Sequence, residues 1–142
     1  MVTRLLAACL LMASCVIIHA VGMTSAIRRL RQASATIQGF WPGVGLLILV
    51  ATWMVLLHLS EIVVWALAYW WNGALADFRT AMYFSAVTYT TTGYGDVVLP
   101  VGWRLDGGVE ALTGILMCGW STGFFFAIFN RLYDPRPSAL PS

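Results

Sequence analysis

The sequence predicts an all-α membrane protein, and two observations lead to this prediction. Of 142 residues, 60% are hydrophobic and 10% are charged, and the mean hydropathy is +0.81. A soluble domain of this size would need far more polar surface. Residues 5–23, 43–70 and 107–130 form three apolar stretches, each long enough to cross about 30 Å of hydrocarbon as a helix.

The charged residues and the cysteines exclude several other classes of protein. The net charge of +2 comes from eight arginines and six acids, with no basic run suited to nucleic acid. The three cysteines, Cys9, Cys15 and Cys118, lie inside apolar stretches without disulfide or zinc spacing. We interpret them as small core residues, and we expect no nucleic-acid partner and no cofactor.

The first apolar stretch, 5–23, is predicted to be a retained transmembrane helix. Arg4 before it and the small residues near Ser25 also permit a cleaved signal peptide. Cleavage would export the arginines that follow, against the orientation argued below, so we favour retention. His19, near the end of this helix, is interpreted as a packed or snorkelling histidine.

Residues 24–40 are polar and basic, and we expect a solvated cytoplasmic connector there. Arg28, Arg29 and Arg31 form a cluster of the kind that favours the cytoplasmic side and anionic headgroups. Because these arginines lie outside the predicted helix, they do not resemble a voltage sensor. Residues 1–40 thus form the first unit, a helix and its connector.

The second helix, 43–70, contains two ionisable groups at membrane depth. His58 and Glu61 stand at i,i+3, on one face, and should point toward protein because charge in lipid is costly. They are either a proton or metal site or a buried pair that fixes helix packing. We favour the packing pair, because the sequence shows no further ligand at metal spacing.

A short helix is predicted over 78–90, with Asp77 as its N-cap. It spans only about 20 Å, too little to cross a membrane. It should therefore enter partway, and non-helical backbone can follow it at membrane depth only if it lines a cavity or is buried in protein.

The segment Thr91-Thr92-Gly93-Tyr94-Gly95-Asp96 follows this short helix. Its alternate glycines allow left-handed backbone, which can turn successive carbonyls to one side. With the helices on either side, it resembles the selectivity filter of potassium channels, over about residues 41–133. The alternative is a glycine-rich turn outside the membrane.

The resemblance implies a pore domain over 41–133, made of an outer helix, pore helix, filter and inner helix, in a tetramer. K⁺ would bind the backbone carbonyls of the filter and the Thr91 hydroxyl, and the Tyr94 ring would point away from the axis. The ion-binding residues would be Thr91, Thr92, Gly93, Tyr94 and Gly95. The residues supporting the filter would be Asp96, Tyr83, Phe84, Val87 and Thr90.

This sequence departs from the commonest family pattern at several of these positions. Thr92 stands where the family usually has an aliphatic residue, and its hydroxyl needs a hydrogen-bond partner. Tyr83 and Phe84 stand where tryptophans are frequent, and Val87 stands where some members have a buried acid. We therefore expect different support behind the filter.

The third helix, 107–130, contains Gly114 and Gly119, which are either a gating hinge or close-packing positions. The proline-rich tail, 134–142, is predicted to be disordered.

The orientation in the membrane follows from the arginines, with the larger group assigned to the cytoplasm and the filter facing outward. The cytoplasmic group is Arg28, Arg29, Arg31, Arg131 and Arg136, and the outer group is Arg4, Arg79 and Arg104.

These observations predict a potassium-selective channel in a bacterial inner membrane, with itself and lipids as partners and no enzymatic activity. A non-selective pore or a non-conducting subunit is the alternative. A more distant one is a metal-binding protein or enzyme built on His19, His58, Glu61 and the cysteines. Against it, we expect His19 near the cytoplasmic end and His58 at mid-depth or beyond, several helical turns apart.

Overall fold

A computed structural model describes residues 2–33 and 39–133, with the side chains of 31–33 and 131–133 left out of the description. It contains helices α1 (Val2–Ala33), α2 (Phe40–Trp71), α3 (Phe78–Tyr89) and α4 (Arg104–Tyr133), with a 3₁₀ turn (Val101–Trp103) before α4. Among these described residues, three stretches are long and apolar enough to cross a membrane, Val2–Leu30, Phe40–Trp71 and Val101–Asn130. The chain is therefore an all-helical, multi-pass membrane protein. The expected tail, 134–142, lies outside the described residues.

The first helix is longer than the sequence predicted. We expected a solvated connector from residue 24, but α1 continues without a break to Ala33. Arg28 and Arg29 therefore lie on its last turns, and the Arg29 guanidinium stands 5.9 Å from the centre of the Trp53 ring. Polar residues do not end a helix unless a breaker or cap is present, and none stands at residue 24.

Contacts between the long helices fix their directions. Near the N-terminus of α1, Arg4 Nη1 donates to the carbonyl of Gly102 (2.8 Å), just before α4, so α1 and α4 run parallel. The indole of Trp53 on α2 donates to the carbonyl of Gly22 (3.1 Å) on α1. A Cβ at Gly22 would overlap the Leu57 side chain, so glycine allows α1 and α2 to pack closely there.

The short helix α3 runs back into the molecule instead of crossing it. Asp77 caps it, accepting from the Thr80 amide (2.9 Å) and hydroxyl (2.7 Å). These bonds hold the pKa of the exposed Asp77 carboxyl below its usual value. Phe84 then packs edge-to-face on Tyr69 near the end of α2 (ring centroids 5.4 Å).

Two apolar clusters lie along the bundle. The first surrounds α3 and includes Ile62, Trp65, Tyr69 and Phe84. The second lies toward the start of α2 and is built mainly from Met23, Leu46, Val50, Met54 and Leu57. The region between the two clusters, reached by the inner end of α3, is occupied by buried polar side chains.

Candidate functional site: the loop after α3 and the polar groups behind it

The backbone directly after α3 alternates between left-handed and right-handed conformations. Thr91 (φ 59°), Gly93 (φ 53°) and Gly95 (φ 79°) are left-handed. Thr91 has a side chain, so this conformation costs it about 1–2 kcal/mol. Such alternation can bring successive carbonyls to one side of the strand. In the single chain, residues 90–96 are all exposed.

Hydrogen bonds tie the start of this loop to the last turn of α3. The Thr91 amide donates to the Thr88 carbonyl (2.9 Å), and the Gly93 amide donates to the Val87 carbonyl (3.1 Å). The Thr90 hydroxyl donates to the helix carbonyl four residues back. The Thr92 hydroxyl lies 2.9 Å from the Thr90 hydroxyl oxygen and can donate to it, which supplies the partner that Thr92 requires.

The outer end of the loop is braced by Tyr83, whose hydroxyl donates to Asp96 Oδ2 (2.7 Å). This bond to a carboxylate raises the pKa of the Tyr83 phenol. Phe84, the other aromatic side chain expected to support the loop, is buried against Tyr69. The Tyr94 ring is 72% exposed in the single chain.

A buried acid stands behind α3, but not at Val87. Glu110 of α4 is fully buried, and it accepts from the Tyr69 hydroxyl (2.8 Å) and contacts the Ser85 hydroxyl. The Ser85 hydroxyl is also 2.9 Å from the carbonyl of Ile62. Sequence reasoning missed Glu110. The sequence feature that could have identified it is an acidic residue at membrane depth, which is costly unless it has hydrogen-bond partners.

A second buried polar cluster corrects our expectation for His19. Instead of lying several turns from His58, its ring centroid is 5.3 Å from that of His58, and its Nδ1 is 2.8 Å from Glu61 Oε1. Because α1 extends from Val2 to Ala33, His19 lies in its middle and not near its end. The antiparallel α2 then brings His58 and Glu61 to the same depth.

This cluster joins all four helices. His19 Nε2 and His58 Nε2 each lie 3.1 Å from Ser121 Oγ on α4. His58 Nδ1 lies 3.1 Å from the hydroxyl of Tyr89, the last residue of α3, and that hydroxyl donates to Glu61 Oε2. Tyr89 and Ser121 were not predicted as site residues, since hydroxyl side chains within apolar helices give no distinctive pattern.

Gly114 and Gly119 of α4 have different surroundings. A Cβ at Gly114 would overlap the backbone carbonyl of Tyr89, so α4 and the end of α3 are in close contact there. A Cβ at Gly119 would meet nothing within 4 Å in the single chain. This geometry favours packing as the role of Gly114.

Comparison with protein families gave a match. Residues 46–131 match the family model described as "Ion channel", which covers more than half of the 142 residues. The matched range includes α3, the alternating loop and most of α2 and α4. Comparisons with curated proteins and with solved structures gave no match.

Proposed function

Since the chain belongs to the ion channel family, with a potassium-channel-like pore domain and an additional N-terminal helix, we propose that it conducts K⁺ passively and selectively across a membrane. The observation that supports this most is the loop of alternating hand, placed directly after the capped re-entrant helix α3. The pore domain is assigned to 41–133 and the added unit to 1–40.

Selection in this proposal depends on backbone oxygens. The carbonyls of Thr91, Thr92, Gly93 and Tyr94, with the Thr91 hydroxyl, would replace the water shell of K⁺. The C-terminal end of α3, around Thr90, would direct partial negative charge toward the cavity below. Only the permeant ion is bound, and no cofactor or enzymatic step is needed.

Four chains are needed in this proposal, because one loop supplies one strand and cannot enclose an ion. Residues 90–96 are exposed in the single chain, which leaves their surface available to neighbouring copies. Tyr94 would then pack against the pore helix of an adjacent subunit. Lipids would cover the outward apolar faces of α1 and α2.

The proposed location is a cell membrane, here a bacterial inner membrane, with the filter outward and the C-terminus cytoplasmic. Arg4, which the sequence assigns to the outer side, donates to the carbonyl of Gly102 in the segment that follows the loop. This position agrees with the orientation inferred from the arginine distribution. Retention of α1 is supported by His19, because removing α1 would take away the partner of the buried Glu61 Oε1 and leave only the Tyr89 bond to Oε2.

Ion flux in liposomes tests this function with two matched glycine variants. K⁺ flux should greatly exceed Na⁺ flux, and Gly93→Ala should abolish it, since a Cβ at φ > 0 costs about 1–2 kcal/mol in every subunit. Gly73 (φ 69°) has the same open surroundings but lies in the turn after α2. Gly73→Ala is therefore the control and should conduct. Normal flux through Gly93→Ala would refute the filter, and equal K⁺ and Na⁺ flux would support a non-selective pore.

A further inference from the structure

Five buried or nearly buried side chains form a closed ring of hydrogen-bonding contacts, which we call the proton ring. In order around the ring they are His19, Ser121, His58, Tyr89 and Glu61, which contacts His19 again. His58 has a partly exposed side chain (18%), whereas His19 and Glu61 have none exposed. A closed ring of five members has five contacts. Each contact needs one proton between its two atoms to be a hydrogen bond, so five protons are required.

The usual protonation states near pH 7 supply only four protons. Two neutral imidazoles bring one N–H each, the serine and tyrosine hydroxyls bring one each, and an ionised carboxylate brings none. With four protons, two lone pairs must face each other in one contact. The carboxylate would also leave a net charge of −1 in a buried site. Both are costly away from water.

We propose that the proton ring binds one further proton from solution, shared between His19 Nδ1 and Glu61 Oε1. Every contact is then filled in one direction. His19 Nε2–H donates to Ser121, Ser121 donates to His58 Nε2, His58 Nδ1–H donates to Tyr89, and Tyr89 donates to Glu61 Oε2. The ring as a whole becomes uncharged.

The distances and surroundings place the added proton beside His19. His19 is 2.8 Å from the carboxylate, whereas His58 is 3.8 Å from it. The Trp120 ring lies 5.3 Å from His19, and an aromatic face attracts a cation. The other titratable groups that act on the ring are Cys15 of α1 and Cys118 of α4, and free thiols are mostly neutral near pH 7.

Proton occupancy would affect the base of the loop as well as the helix packing. Tyr89 is the last residue of α3, and Ser121 is on α4. Losing the proton removes one contact of the ring and leaves a buried charge, so the attachment of these helices weakens. His58 is the partly exposed member through which protons can exchange. The proposal concerns binding and packing, and it does not depend on conduction.

The substitution Glu61→Gln separates titration from ring closure. A glutamine amide donates to His19 Nδ1 and its oxygen accepts from Tyr89, so the ring closes with neutral groups and no added proton. Glu61→Gln should therefore fold normally and lose its response to pH. Ser121→Ala opens the ring instead, and Thr122→Val is its control, because the Thr122 hydroxyl bonds only within α4.

Histidine ¹⁵N NMR of the full chain in lipid measures this directly, since the chain has two histidines. Between about pH 5 and about pH 9, the proton ring of the parent should lose one proton, with both histidine signals changing together. Thr122→Val should do the same, Ser121→Ala should uncouple the two signals, and Glu61→Gln should stay constant. Identical pH behaviour in the parent and Glu61→Gln would overturn the proposal.

A divalent metal is the competing occupant, because one ligand atom from each of three ring members lies within 4.8 Å of the others. The same spectra are therefore recorded with a chelator and with added Zn²⁺. An unchanged pH response in chelator supports the proton ring. Loss of that response in chelator, with restoration by Zn²⁺, would overturn it. Neither result depends on ion flux, so failure here leaves the test of conduction intact.

Discussion

At the scale of single residues, a count of protons also predicts the protonation state of Glu110. The Ser85 hydroxyl has one proton but contacts two acceptors, the carbonyl of Ile62 and the carboxyl of Glu110. A proton on Glu110 would fill the second of these contacts, while the Tyr69 hydroxyl donates to the other carboxyl oxygen of Glu110. We therefore expect Glu110 to be a neutral acid that joins α4 to α2 and α3.

This assignment predicts opposite results for two substitutions of Glu110. Glu110→Gln should keep the melting temperature close to that of the parent, since an amide both donates and accepts as the protonated acid does. Glu110→Ala leaves Tyr69 and Ser85 with unfilled contacts, at about 1–3 kcal/mol for each buried group, and should melt several degrees lower. Thermal unfolding in detergent measures both.

A matched hydroxyl substitution serves as a control for this pair. Thr122→Val lies on the same helix, where the Thr122 hydroxyl bonds only to its own backbone, and it should melt like the parent. If Glu110→Gln destabilised as strongly as Glu110→Ala, Glu110 would be ionised in the folded protein and the proton count would be wrong.

Residue-level sequence reasoning placed Tyr83, Asp96 and Thr90 at the loop, where the structure has their hydrogen bonds, but it missed the acid behind α3. Glycine spacing indicated left-handed backbone at Gly93 and Gly95, and the structure places Thr91 there as well. Val87 carries no acid, and sequence reasoning did not consider Glu110, although an acid at membrane depth needs partners. The acid comes from Glu110 on another helix, and single-sequence patterns do not report contacts between distant segments.

At the scale of elements, helix types were predictable and helix ends were not. Apolar length predicted α2 and α4, and Asp77 predicted the start of α3, which its capping bonds confirm. The sequence predicts the end of α1 about ten residues too early, because the polar residues from 24 onward do not end the helix. With that end, His19 is predicted near the end of the helix instead of its middle, and its contacts with Glu61 and His58 are not predicted.

The contact between α4 and α3 predicts different effects for two alanine substitutions. Gly114→Ala places a methyl group against the Tyr89 carbonyl, and such overpacking costs about 1–3 kcal/mol. We expect a lower melting temperature for the assembled protein. Gly119→Ala meets no neighbour in the single chain and gains about 1 kcal/mol of helix propensity.

Single-channel recording beside the melting curves separates packing from a hinge. A hinge replaced by alanine should shift open probability without changing ion preference. Unchanged stability of Gly114→Ala, with altered open probability, would refute the packing role. Gly119→Ala serves as the control for stability, and it also tests whether that glycine is the hinge.

At the scale of the whole molecule, two apolar clusters are separated by a polar layer. The proton ring occupies this layer at the inner end of α3, and Glu110 lies nearer the outer end. All-apolar packing in lipid has little directional preference, whereas buried polar contacts set one register between helices. Overall composition predicted a helical membrane protein, but this arrangement required the three-dimensional contacts.

Assembly is the remaining prediction, and it follows from what one chain leaves uncovered. Each chain supplies a single loop of alternating hand, with its Tyr94 ring 72% exposed. Large apolar side chains are exposed along α4 in the single chain, namely Leu112, Ile115, Leu116, Trp120 and Phe126. Because a filter needs carbonyls on all sides of the ion, neighbouring copies are expected to cover the loop and part of α4 in a closed four-fold ring.

Native mass spectrometry from mild detergent should therefore show a species of four times the 15.6 kDa chain. The parent and Gly73→Ala should give the same tetramer, since Gly73 lies in the turn after α2 and an added Cβ there would meet nothing within 4 Å. Gly114→Ala should release monomers at a lower collision energy, because its methyl group displaces α4 from the end of α3. Monomers and dimers alone, from a preparation that still conducts K⁺ in liposomes, would rule out the four-fold pore.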